Sequence, residues 1–137
     1  MKNYFLDTNV LLDWLLGRKP FFENAREIIR NAEDHHCNVY ASGISISTIT
    51  YFLQRSFRND DVKKKLRALL SVIEVLPSSK HIFSQALSSS FRDLEDGYQY
   101  FTVMEAGLID SIITRNTSDY KHSTIPILLP SELMEML

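Results

Sequence analysis

Cysteine is nearly missing from this chain: Cys37 is the only one in 137 residues. No internal disulfide can form, and without a CxxC pair or a Cys/His cluster nothing suggests structural zinc. Long apolar runs are missing too, since no stretch approaches the roughly 18 residues that a membrane span needs. Asp7 and Asp13 interrupt the one early apolar run, which argues against a signal peptide. An excess of charge is also lacking, with 23% charged residues and a formal net charge of −2. No global basic field attracts nucleic acid, so a polyanion would have to be held by a local patch or by a metal ion. The expectation is a soluble, cytoplasmic protein with no membrane partner.

What is present suits one compact domain over residues 1–137, because 45% of the residues are hydrophobic and a chain of this length can bury a real core. Tyr4 to Leu6 is too short an apolar run for a helix and reads as a buried strand. Val10, Leu11, Trp14 and Leu15 follow at helical spacing, with Gly17 as the stop. Pro20 introduces a helix over Phe21 to Glu33, and Val39 to Ala41 reads as a second strand. Ser45 or Ser47 is expected to cap a helix to about Phe57, and Asp60 another to Leu70. A third strand is expected over Val72 to Leu76, then a helix capped by Ser79. Asp93 should cap a helix to Glu105, closed by Gly107 in left-handed geometry. Ile112 to Thr114 and Ile127 to Leu129 read as strands, and Ser131 opens a last amphipathic turn. Strands alternating with helices imply an α/β fold with a parallel sheet covered on both faces.

The stretch YFLDTNVLLDW, residues 4 to 14, sets a problem inside this frame. Asp7 stands between two apolar runs, where an uncompensated buried carboxylate costs at least several kcal/mol. A shared cation would resolve it, given partner acids. FRDLEDGYQYF offers Asp93, Glu95 and Asp96 at a helix start, and ITRNTSDYK offers Asn116 and Asp119. In a parallel sheet, ligands sit beyond the carboxyl ends of the strands. Asp7 follows the first strand, while Asn116 and Asp119 follow the fourth.

LDTNVLLD, DLEDGYQY, IITRNTSDY and IPILLPSEL, in this order over the whole chain, resemble the PIN-domain nucleases. The nearest resemblance is to small toxin-type, VapC-like members of bacterial toxin–antitoxin pairs. The resemblance implies a three-layer α/β/α sandwich with a central parallel sheet, PIN-like and broadly Rossmann-like. It implies an endoribonuclease dependent on Mg²⁺ or Mn²⁺, leaving a 5′-phosphate and a 3′-hydroxyl. RNA would be the substrate, a small antitoxin the protein partner, and a homodimer a further association.

Carried over by motif, Asp7, Asp96 and Asp119 would hold the ion, with Asn116 positioning water or a ligand. Hard oxygen donors suit such an ion, which keeps several of its waters, and a bound ion can activate water against a phosphodiester. One departure stands out. The family usually carries an acid on the helix after the second strand, and the matching position is read as Thr50. Asp93, one helical turn before Asp96, is the candidate replacement. Asn9, Thr50 and Arg115 are read as substrate-binding, Arg115 as the phosphate contact.

Other readings accompany these. First-turn acids such as Asp93 and Glu95 also serve as caps and dipole partners, and Glu95 is left in that role. Asp13 is expected on a solvated helix face near Arg18. Arg55, Arg58, Lys63, Lys64, Lys65 and Arg67 form a basic stretch that is either a solvated helix pair or a rim for RNA phosphates. A PIN fold without catalysis, serving as a binding module, is the alternative that the hydroxyl at Thr50 raises. A haloacid-dehalogenase-type phosphatase is disfavoured, because the second acid that it needs is replaced by Asn9.

Overall fold

The computed structural model describes all residues, 1–137. Its elements run in chain order as β1 (Asn3–Leu6), α1 (Thr8–Leu16), α2 (Phe22–Glu33), β2 (Asn38–Ser42), α3 (Gly43–Ser56), α4 (Asn59–Leu70), β3 (Glu74–Leu76), α5 (Lys80–Leu87), α6 (Leu94–Ala106), β4 (Ser111–Ile113), β5 (Ile127–Leu128) and α7 (Pro130–Met136). A short 3-10 turn, Thr117–Tyr120, lies between β4 and β5.

The five strands form one parallel sheet in the order β3-β2-β1-β4-β5. Alternation along each strand feeds two cores. Tyr4, Leu6, Val39, Ala41 and Ile113 face α1, α2, α3, α4 and α7. Phe5, Ile112 and Leu76 face the other way, against Tyr100, Val103 and Tyr120. Helix α5 packs on α6 on that second face. The result is the three-layer sandwich expected from the pattern of short strands and helices.

The chain leaves β1 for β2 on one side and later returns to β4 on the other. The carboxyl ends of β1 and β4 therefore flank the point where the winding reverses, and a crevice opens there. Asp7 and Thr114 are the first residues past those two strand ends.

Several boundaries shift for local reasons. Ser42, not Ser45 or Ser47, caps α3: its hydroxyl accepts the Ser45 amide at 3.1 Å, so β2 runs directly into the helix. Arg58 occupies the cap position of α4, and Asp60 falls within the first turn, where an acid faces the positive end of the dipole. Val72 belongs to the turn before β3 and packs on the core from there. Gly17 and Gly107 close α1 and α6 at φ 65° and 68°, as their sequence positions suggest.

Candidate functional site

Asp7 has two functions in the backbone before any ligand is considered. It leaves β1 extended and caps α1, its Oδ1 accepting the Thr8 amide at 2.8 Å. Its Oδ2 accepts the Thr114 hydroxyl at 2.8 Å and the Tyr120 hydroxyl at 3.1 Å, with the Asn9 carboxamide at 3.5 Å. The residue is only 2% exposed. Burial raises its pKa above the ordinary carboxylate range, the hydrogen bonds from Thr114, Thr8 and Tyr120 oppose that rise, and the charge of Glu95 adds to it.

Asp96 comes to the same place from α6. Asp93 caps that helix, its Oδ1 accepting the Asp96 amide at 3.2 Å. The hydroxyl of Tyr120 also lies 3.3 Å from Asp96 Oδ1. One phenolic proton cannot serve two carboxylates at once, so the cluster is most comfortable when one carboxyl is protonated. The pKa of Asp96 is pushed up to about 8 by burial first, then by Asp7, with Asp119 and Asp93 adding to it; that of Asp7 is raised as well, so the proton belongs to the pair. Asp96 Oδ2 is buried with no hydrogen-bond partner. Asp119, in the 3-10 turn, is exposed and stands close enough to Asp96 to act on it through both its side chain and its charge.

A buried polar network sets the rotation of α6. Gln99 donates to Thr8 Oγ1 at 3.0 Å and to Ser45 Oγ, and it accepts from the Ser42 hydroxyl. Thr8 and Ser45 hydroxyls meet at 2.7 Å. Gln99 is one turn beyond Asp96 on the same helix, so anchoring it aims Asp96 at the β1 end.

The other expected site residues part company. Asn9 brackets the strand ends: its Nδ2 lies 3.4 Å from Thr114 Oγ1 and its Oδ1 accepts the Arg115 amide at 3.3 Å. Asn116 precedes the 3-10 turn, and its backbone amide donates to Thr114 Oγ1. Thr50 turns away from the acids, its hydroxyl donating to Ile46 O within α3 at 2.7 Å. The α3 residue that meets them is Thr48, which donates to Glu95 Oε1 at 2.8 Å. Two residues are about 200° on a helix, so the expected position was on the wrong side.

Arg115 is not free for a substrate phosphate. It forks onto the buried carboxylate of Asp13 at 2.7 and 3.1 Å and stacks its guanidinium over Phe21 at 3.9 Å. Asp13 is therefore an internal ion-pair centre, shared with Arg18 at 2.9 Å, and lies on no solvated face. The cations left near the acids are others. Arg92 and Lys121 line a cavity of about 310 Å³ together with His122, Asp93 and Asp119. Sequence reasoning left them unassigned, as it did Tyr120 and Gln99. Helical spacing from Asp96 is the signal that could have found Gln99.

No three His, Cys, Asp or Glu side chains converge into ready coordination geometry as they stand. The donor set nevertheless fits a hard divalent cation: carboxylate oxygens only, crowded enough to raise the pKa of Asp96, with one buried oxygen unpartnered.

A parallel α/β sandwich with carboxylates gathered past its central strand defines a PIN-like architecture. Residues 3–118 match the family model of the PIN domain, and this chain belongs to that family. Solved structures agree on the fold. FitAcB from Neisseria gonorrhoeae matches with a TM-score of 0.69 at 19% identity, over 93% of this chain and 98% of that one. A toxin–antitoxin complex from Klebsiella pneumoniae matches at 0.67 and 22%, over 93% and 97%. VapBC2 from Rickettsia felis, bound to a fragment of promoter DNA, matches at 0.64 and 15%, over 91% and 96%. A comparison with curated protein sequences finds no significant match.

Proposed function

We propose that this protein is a divalent-cation-dependent endoribonuclease, acting as the toxin of a toxin–antitoxin pair. The observation that carries the reading is the burial of Asp96 within reach of the charges of Asp7 and Asp119, acids from distant parts of the chain, with Asp96 Oδ2 unpaired. Such repulsion is a standing cost in the free protein and becomes an attraction once a cation is present. Similarity to chains from toxin–antitoxin complexes supports the second half of the reading, with a small antitoxin as partner and a homodimer as a further association.

Asp7, Asp96 and Asp119 would hold Mg²⁺ or Mn²⁺, which when bound supplies a polarised water and neutralises charge on the phosphodiester. The protein's own contribution is placement. Thr114 and Tyr120 orient Asp7 Oδ2, and Gln99 fixes the helix that carries Asp96. Asn116 stands exposed at the end of β4, where it can hold a water or a substrate oxygen. Arg92, Lys121 and His122, in the cavity beside Asp119, would take backbone phosphates of the RNA strand.

Calorimetric titration of Mn²⁺ and cleavage of single-stranded RNA test this together. The expectation is one cation bound by the wild type, with Asp96→Asn losing both binding and cleavage. Mn²⁺ binding without cleavage of any single-stranded RNA would leave a binding module. No Mn²⁺ binding at all would refute the cation site.

A further inference from the structure

The face that α3 turns toward the acids carries hydroxyls where a fourth carboxylate would ordinarily be useful. Ser42 and Ser45 bond to Gln99, and one turn further along, Thr48 bonds to Glu95. Ser45 to Thr48 is one turn up α3, and Gln99 to Glu95 is one turn back along α6. The two helices are thus joined by a ladder of two rungs, the lower one buried and the upper one at the mouth of the crevice.

That ladder gives Glu95 a defined position. Its Oε1 is held by Thr48, its only protein partner, and its charge is felt at Asp7. Glu95 lies next to Asp96, whose Oδ2 is buried and unpaired. A glutamate that served only the helix dipole would need no partner on α3 and would do as well facing solvent. Glu95 is half-buried and turned inward across the gap.

Resting on the cation reading above, we propose that Glu95 supplies the carboxylate that α3 lacks, completing a site for a hard divalent cation between Asp7 and Asp96. Thr48 is its positioning residue. The acid has moved from one wall of the crevice to the other, and the hydroxyl left on α3 holds it. Glu95 Oε2, free of protein donors, is the oxygen offered to the ion.

The test is Mn²⁺ affinity by calorimetry, with the melting temperature of the metal-free protein as a control for folding. Glu95→Gln keeps the size of the side chain and an oxygen that can accept from Thr48, but removes the charge. Affinity should fall by about tenfold or more, since one opposite charge at short range is worth on the order of 1 kcal/mol or above. Thr48→Val, which leaves α6 untouched, should weaken binding by a few fold, roughly what one hydrogen bond to a charged group is worth when partly exposed. The double variant Thr48→Glu with Glu95→Gln returns the charge to α3 and should recover most of the lost affinity. If the wild type binds Mn²⁺ and Glu95→Gln binds it equally well, Glu95 is a dipole partner only and this inference is overturned while the cation site stands. If the wild type binds none, both fall.

Discussion

Asp13 is an acid in the middle of α1 that is 1% exposed, and the reason it is tolerated is two arginines. Arg115 reaches it from the end of β4 and Arg18 from beyond the helix end, so the carboxylate welds α1 to the strand edge that carries the site. Removing a partner from a buried ion pair is far more damaging than the pair is stabilising. Asp13→Asn should therefore lower stability in denaturant by about 2–3 kcal/mol, less than for a fully buried pair because both guanidiniums retain some contact with water. Arg115→Lys should also lose stability, since an ammonium cannot fork onto a carboxylate or stack on Phe21. If Arg115→Lys kept its stability and instead lost RNA affinity, the phosphate role first read for Arg115 would be restored. The basic stretch shows the same economy. Arg55 leans on Tyr51 and Lys65 on Phe57, while Arg58, Lys63, Lys64 and Arg67 stay exposed.

At the scale of elements, α6 controls the geometry of the crevice. Its first turn holds Glu95 and Asp96, its second holds Gln99, and Gly97 lies on the side that meets the α5 end. A Cβ at Gly97 would stand 3.2 Å from Phe91 Cβ and 3.3 Å from Ala86 Cβ. A glycine inside a helix costs up to about 1 kcal/mol in propensity, and here it allows a neighbouring segment to pack at close range. Gly97→Val should force α6 away from Ala86 and Phe91, costing about 1–3 kcal/mol as overpacked cores do. Glu95 lies about 200° around the helix from Gly97, so the same shift would press it against Thr48 and disturb its placement, and Mn²⁺ affinity should fall as well. A variant with unchanged melting temperature and unchanged affinity would show that α6 has slack that the contacts do not suggest.

For the molecule as a whole, the crowded acids tie stability to pH. Asp7 and Asp96 have pKa values raised by folding, Asp96 from 3.8 to about 8. The native state therefore holds protons that the unfolded chain has released. Stability is fullest below the unfolded value near 4 and is lost as pH climbs toward about 8. The metal-free protein should melt at progressively lower temperature across that window, and Asp96→Asn should make the profile shallower by removing one of the two raised carboxyls. Mn²⁺ at a hundredfold its Kd should restore about 2.7 kcal/mol at the alkaline end. A flat profile for the metal-free wild type would mean that the acids do not repel one another as their burial implies.

Much of this molecule is readable along the chain, because the signals are local. The strand of Tyr4–Leu6, the stop at Gly17, the cap at Asp93 and the closing Gly107 depend on neighbours within one or two turns, and the structure has them where the sequence puts them. The order of strands and helices then leaves few ways to build a parallel sheet, and it brings Asp7 to the reversal point. What tertiary structure alone decided is the rotation of each helix about its axis and the partner of each charge. Neighbouring helix positions differ by about 100°, so an alignment that slips by two residues exchanges Thr48 for Thr50 and turns a hydroxyl out of the site. That rotation is set by Gln99 on Ser42, Ser45 and Thr8, contacts 54 to 91 residues apart. Arg115 and Asp13 are 102 residues apart, and no local pattern indicates that one belongs to the other. Such contacts form only when the sheet has closed and brought the strand ends together.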